Sequence, residues 1–257
     1  MSSLGVQAVK DDSKLQIRQS PTEHLPRTPM RALFLANSGG GKTTLIANLL
    51  TRKELYGKAF STFYIFSPSV DHDGTWQSVK RYMREEMGQK PEEHFFSKWE
   101  PDRIQEIVDA QFQITKFHKE HGHKKGHSIL IFVDDWASNP EILHRGDGGG
   151  VLNSLFIRGR HANISTWIAS QRPTLLSTTL RTQATSLFVF RQRSMKDLVT
   201  FLDEYSAIVP KKTLEKIYTV ATREKYNFLM VDLMQPADTM FYWGSVSYTH
   251  LTLPTKA

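Results

Sequence analysis

The stretch Ala36-Asn37-Ser38-Gly39-Gly40-Gly41-Lys42-Thr43 constrains this chain more than any other. A short, mostly apolar run, Met30 to Ala36, leads into it. Residues Lys42 to Lys53 follow, with Leu45, Ile46, Leu49 and Leu50 at helical spacing. Glycines between a strand and a helix let successive backbone N–H groups turn inward around an anion. The start of the helix adds the positive end of its dipole. The spacing is that of the phosphate-binding loop G-x-x-x-x-G-K-[ST], with Ala36 where the first glycine stands. Ala disfavours positive φ but fits the end of a strand. Asn37, Ser38, Gly39, Gly40, Gly41, Lys42, Thr43 and Thr44 are therefore expected to cradle ATP. The Lys42 ammonium reaches the β and γ phosphates, and the Thr43 hydroxyl holds Mg²⁺.

The rest of the chain alternates in the same way. Strands are expected at Phe63–Phe66, Ile129–Val133, Ile164–Ala169, Leu187–Phe190 and Phe228–Val231. Between Gly74 and Gly126 the pattern is helical and charged, with a Pro101-Asp102 helix start. Short helices are expected at Val151–Ile157, Met195–Leu202 and Lys211–Tyr218, and Gly146–Gly150 reads as a glycine-rich loop. Strands alternating with helices imply an α/β fold, a mostly parallel central sheet with helices on both faces. Residues 1–29 are polar and interrupted by Pro21, Pro26 and Pro29, so they read as an extended N-terminal arm. The folded domain is expected over 30–244. Residues 245–257 join no strand or helix period. They resemble a peptide that adaptor read-through leaves at the ends of unrelated proteins, so they read as a non-native segment or a flexible tail.

The apolar run Ile129–Val133 ends in Asp134-Asp135. A carboxylate at the C-terminal edge of a buried strand lies beside the phosphate loop in this architecture. Asp134 is the expected Mg²⁺ partner. Asp135, one residue on, would orient or deprotonate the attacking water. The pair could also cap a helix. At the next strand tip Gln171 offers an amide that can donate to a γ-phosphate or hold a water.

The full order is phosphate loop, paired acids, Gly159-Arg160-His161, then Ser170-Gln171-Arg172-Pro173, Leu180-Arg181 and a strand ending at Arg191. In this order the chain resembles the FtsK–HerA superfamily of DNA-pumping ATPases. The small size and the run Arg160-His161-Ala162-Asn163-Ile164-Ser165 are similar to the poxvirus-type genome-packaging ATPases of large DNA viruses. The resemblance covers about Met30 to Phe190. It implies a RecA-like (ASCE-type) core, ATP and Mg²⁺ as ligands, and a homo-oligomeric ring around double-stranded DNA. It further implies a capsid or portal partner, and action in the host cytoplasm, viral factory or virion. An Arg from the adjacent subunit completes the site in this family; Arg160 is the first candidate and Arg158 the second. Relatives carry Glu as the second acid, and Asp135 has a shorter reach.

A host-type DNA pump, a conjugation motor and a non-catalytic nucleotide-binding subunit are the alternatives. A GTPase switch would need Asn/Thr-Lys-x-Asp, and Met195-Lys196-Asp197 has the wrong spacing. Composition excludes other classes. The 257 residues carry no Cys, so disulfides and thiolate metal sites are ruled out. No run of ~18 apolar residues is present, so no membrane span is expected. The formal charge of +7 is compatible with a polyanionic partner. His118, His121, His123 and His127 sit among lysines, which favour a basic loop over a metal site. The loop Gly146–Gly150 is a candidate pore loop or a plain connection. Trp76, Trp99, Trp136 and Trp167 read as packing residues.

Overall fold

The computed structural model describes residues 15–136 and 147–246, with 147–149 by backbone alone. Its strands are β1 (Arg31–Leu35), β2 (Thr62–Phe66), β3 (Phe95–Phe96), β4 (Ile129–Asp134), β5 (Ile164–Ser170), β6 (Ser186–Phe190), β7 (Asn227–Asp232) and β8 (Phe241–Ser245). The helices are α1 (Lys42–Thr51), α2 (Gly74–Glu86), α3 (Pro101–Glu120), α4 (Asp147–Arg158), α5 (Thr178–Gln183), α6 (Met195–Tyr205) and α7 (Lys211–Ala221). One sheet runs in the order β3-β2-β4-β5-β1-β6-β7-β8. The pairings from β3 through to β6 are parallel, and β7 and β8 are added antiparallel.

Central strands read as continuous apolar runs because both faces are covered. Successive side chains point to opposite faces, so each strand feeds two cores. Ile131 and Val133 join Leu33, Leu35 and Ile168 under α3, α4, α6 and α7. Leu130 and Phe132 join Ala32, Phe34 and Trp167 under α1 and α2. Trp76 and Trp167 are wholly buried, and Trp99 packs on Trp136, as expected for packing residues. Local chemistry sets the helix starts. Asp73 caps α2 by accepting from the Thr75 N–H at 2.8 Å, and Pro101 opens α3.

Three expectations need correction. Gly148–Gly150 lie in the first turn of α4 rather than in a loop; Gly146 is outside the described residues. Each Gly costs a helix about 1 kcal/mol relative to Ala, and burial of Leu152, Leu155 and Phe156 against the sheet outweighs it. Strand β8, absent from the sequence reading, pairs with β7 through Ser245, and Val246 is buried. The fold thus passes the expected boundary at 244, while 247–257 lie outside the described residues. The two-residue strand β3 was also unforeseen. The described part of the arm is laid on the body: Gln16 donates its N–H to Lys124 O, and Leu15 is buried.

Candidate nucleotide site

Strand β1 delivers the chain to the C-terminal edge of the sheet, where the phosphate loop turns into α1. Ala36 is fully buried and donates its N–H to Ser170 O at 3.2 Å, extending the strand. Ala36 is not among the residues with positive φ, so alanine in place of glycine is accommodated here. Gly39 (φ 70°) and Gly41 (φ 97°) take the left-handed turns that L side chains resist. Gly41 caps α1 with no side-chain hydrogen bond, and Leu45 makes the first intrahelical bond, to Gly41 O. The N–H groups of Lys42, Thr43 and Thr44 therefore have no acceptor within the helix. The loop is tied to β6 by Asn37 Nδ2, which donates to Arg191 O at 2.8 Å.

Lys42 is the centre of the site. Its Nζ lies 2.6 Å from Asp134 Oδ1 and donates to Asp135 Oδ1 at 2.8 Å. Strand order makes this meeting, since β4 is separated from β1 only by β5. Asp135 has φ 58°, a left-handed turn that Asp tolerates better than most residues. Its other oxygen accepts from Gln171 Nε2 at 3.2 Å, so Lys42, Asp134, Asp135 and Gln171 are gathered as the motifs predict. One member escaped the sequence reading. Ser67, at the end of β2, donates from Oγ to Asp134 Oδ2 at 3.0 Å. Its signal was Ser67-Pro68 ending an apolar strand at the same sheet edge.

Burial works against the Lys42 charge, but the two carboxylates more than offset it and hold its pKa above the usual lysine value. Burial pushes the Asp134 carboxyl above the ordinary carboxylate range, against the pull of Lys42. Asp134 Oδ1 has the ion pair yet receives no directed hydrogen bond, so it keeps lone-pair capacity for a cation. A glycine cradle with outward N–H groups beside such a carboxylate fits a triphosphate with Mg²⁺. Thr43 and Thr44 are half-buried in the first turn of α1, and Ser38 is exposed at the loop tip.

Arg160 lies elsewhere. It is exposed in the 3₁₀ turn Gly159–Ala162, before β5, at the opposite sheet edge from Lys42. The seven residues of β5 put about 20 Å between these edges. Arg160 lines a groove with Arg31, whose pKa is lowered by burial and then by the Arg160 charge. Arg158, at the end of α4, is exposed too. Either arginine could serve only a neighbouring copy's site. Among the described residues no His/Cys/Asp/Glu group could hold a metal, and His118 stacks on His123 at 4.8 Å.

The solved structure of B204, the DNA-packaging ATPase from Sulfolobus Turreted Icosahedral Virus, superposes with a TM-score of 0.53 at 15% identity, covering 86% of this chain and 99% of that one. The chain has the fold of the RecA-like P-loop ATPases. The genome packaging NTPase B204 of Sulfolobus turreted icosahedral virus 2, in complex with AMPPCP, gives 0.55 at 15% identity over 86% and 98%. The pCW3 conjugation coupling protein TcpA gives 0.52 at 14% identity over 85% and 68%. The likeness is thus to viral packaging ATPases and to ATPases of FtsK–HerA type, as the motif order implies. Uncharacterized protein 015R of Frog virus 3 (isolate Goorha) is 24% identical over 226 residues, 85% of this chain and 62% of that protein. Uncharacterized protein 075L of Invertebrate iridescent virus 6 is 24% identical over 128 residues, 50% of this chain and 48% of that protein. The chain therefore spans less than two thirds of the curated relatives it matches. No protein-family model matches it. Among the described residues no helix is long and apolar enough to cross a membrane.

Proposed function

We propose that this chain is an ATP-driven translocase that packages double-stranded viral DNA, working as a homo-oligomeric ring. The observation that carries the reading is the convergence of Lys42, Asp134, Asp135 and Gln171 on one point beside a glycine cradle. The N–H groups at the start of α1 and the Lys42 ammonium bind the triphosphate and take up its charge. Mg²⁺, held by Thr43 and Asp134, supplies neutralising charge across the β and γ phosphates. Asp135 orients a water and takes its proton as the water oxygen bonds to the γ-phosphorus and the bond to the β-phosphate oxygen breaks, releasing ADP. Gln171, already bonded to Asp135, positions the same water and passes the loss of the γ-phosphate to the segment after β5.

Arg160 of a neighbouring copy spreads its charge over the transferring phosphoryl group. Its place at the opposite sheet edge supports a head-to-tail ring, in which one copy's Arg160 edge meets the next copy's phosphate loop. The viral origin of the curated relatives favours genome packaging, with a capsid or portal partner in the infected cell. The equal likeness to a conjugation coupling protein keeps a conjugation-type DNA pump as the second reading.

The test is ATP turnover by the purified full chain with and without duplex DNA. Stimulation by DNA, and loss of turnover in Lys42→Ala, are the expected results. Turnover unchanged in Lys42→Ala would end the mechanism.

A further inference from the structure

A cleft of about 520 Å³ opens beside the phosphate loop, on the side away from Asp134. Its walls are Asn37 and Gly39 of the loop, Arg191 and Arg193 after β6, and Tyr226 just before β7. The volume falls within the roughly 300–1,000 Å³ of small-molecule sites.

Tyr226 sits there at a conformational cost. It has φ 69°, a left-handed backbone in which a bulky residue is a true outlier. Glycine or asparagine would occupy this turn more readily. The backbone is held by Val246, whose N–H donates to Tyr226 O at 3.1 Å. The turn lays the ring against the last glycine of the phosphate loop: a Cβ on Gly41 would come 3.3 Å from Tyr226 Cδ1. The Tyr226 side chain is half-buried, so part of it remains open to the cleft. Strained residues of this kind concentrate at ligand sites.

The polarity of a bound triphosphate is set by the site already described. Its γ end must meet Lys42, Asp134 and Gln171, on the β4–β5 side of the loop. The nucleoside end then leaves on the other side of β1, toward β6 and β7, where the cleft lies. We infer that this cleft is the nucleoside subsite, with the Tyr226 ring as the surface on which the base stacks. Arg191 and Arg193 line the same cleft and supply positive charge near the α-phosphate. An aromatic face accepts any base, so the stacking contributes affinity without strict base selection.

This inference rests on the nucleotide reading of the phosphate loop, and calorimetry on the full chain separates the two. ATP and inorganic tripolyphosphate, each with Mg²⁺, are the probes. Tyr226→Ala should weaken ATP binding about tenfold, as expected for a lost base stack, and leave tripolyphosphate binding unchanged. Tyr226→Phe should bind both like the parent. Equal weakening of both probes by Tyr226→Ala would make Tyr226 a mere prop for the loop and overturn the subsite. So would no change in either. If Tyr226→Ala does not fold, photolabelling of the parent protein with 8-azido-ATP decides: label on the peptide holding Arg191–Arg193 or Tyr226 supports the subsite, and label elsewhere overturns it. A parent protein that binds neither probe would instead remove the nucleotide reading itself, and this inference with it.

Discussion

The Lys42 ammonium stands 2.6 Å from the Asp134 carboxylate, and both side chains are almost wholly out of water, at 9% and 4% exposure. Two charges so buried are tolerable only as a pair. Function and stability therefore meet in one contact.

Lys42→Ala leaves Asp134 buried without its cation and should cost about 3–5 kcal/mol in urea unfolding. Asp134 will then hold a proton more tightly still. A raised carboxyl pKa in the folded state favours folding at acid pH and loses that advantage as pH rises. The deficit of Lys42→Ala should thus shrink toward acid pH. Adding Asp134→Asn should recover part of it at neutral pH. A deficit independent of pH would contradict the pairing.

Asp135→Asn retains an oxygen for Lys42 but cannot take a proton. Turnover should fall by about 10²–10⁴, with ATP affinity within a few-fold of the parent. Gln171→Ala should also slow turnover more than it weakens binding. Single-turnover kinetics beside equilibrium binding would read this split.

Arg160→Ala should lower turnover by up to about 10³-fold while each copy still binds ATP. Mixing it with Lys42→Ala should restore activity, because some interfaces then combine an intact loop with an intact arginine. Mixed rings with no recovered activity would exclude a role for Arg160 across the interface.

Gly41→Ala places a Cβ at φ 97° and 3.3 Å from the Tyr226 ring. Left-handed strain of this kind costs about 1–3 kcal/mol, so thermal unfolding should move down by several degrees and nucleotide affinity should fall with it.

His127 carries a different pH signature. Its Nδ1 lies 3.0 Å from Gln111 Oε1, and Gln111 Nε2 donates to Ala162 O, tying α3 to the start of β5. Burial, and secondarily the His118 charge, hold the His127 pKa below its ordinary value of 6.5. Between those two values the unfolded chain binds more protons, so stability should fall as pH drops through and below 6.5. His127→Gln should flatten the thermal midpoint between pH 7.5 and 5.5, titrating about one pH unit either side of the ordinary imidazole value.

The phosphate loop, the strand before it and the helix after it are local facts. Glycine spacing and apolar period depend on neighbours within a few residues, and β1, α1, β4 and β5 stand where those patterns place them. Chain order alone marked Asp134, Asp135 and Gln171 as strand-end residues. Sequence could not show that β4 and β5 lie on one side of β1 with β6 on the other, because strand order is decided by which apolar faces bury one another. That order brings Lys42 within 2.6 Å of Asp134 and leaves Arg160 at the far edge. Ser67 and Tyr226 stayed hidden for the same reason. A serine after a strand and a tyrosine before one carry no period, and they acquire a role only when distant segments close around them. The glycine run of α4 read as a loop because intrinsic propensity is weak, and the packing of Leu152 and Phe156 against the sheet overrides it.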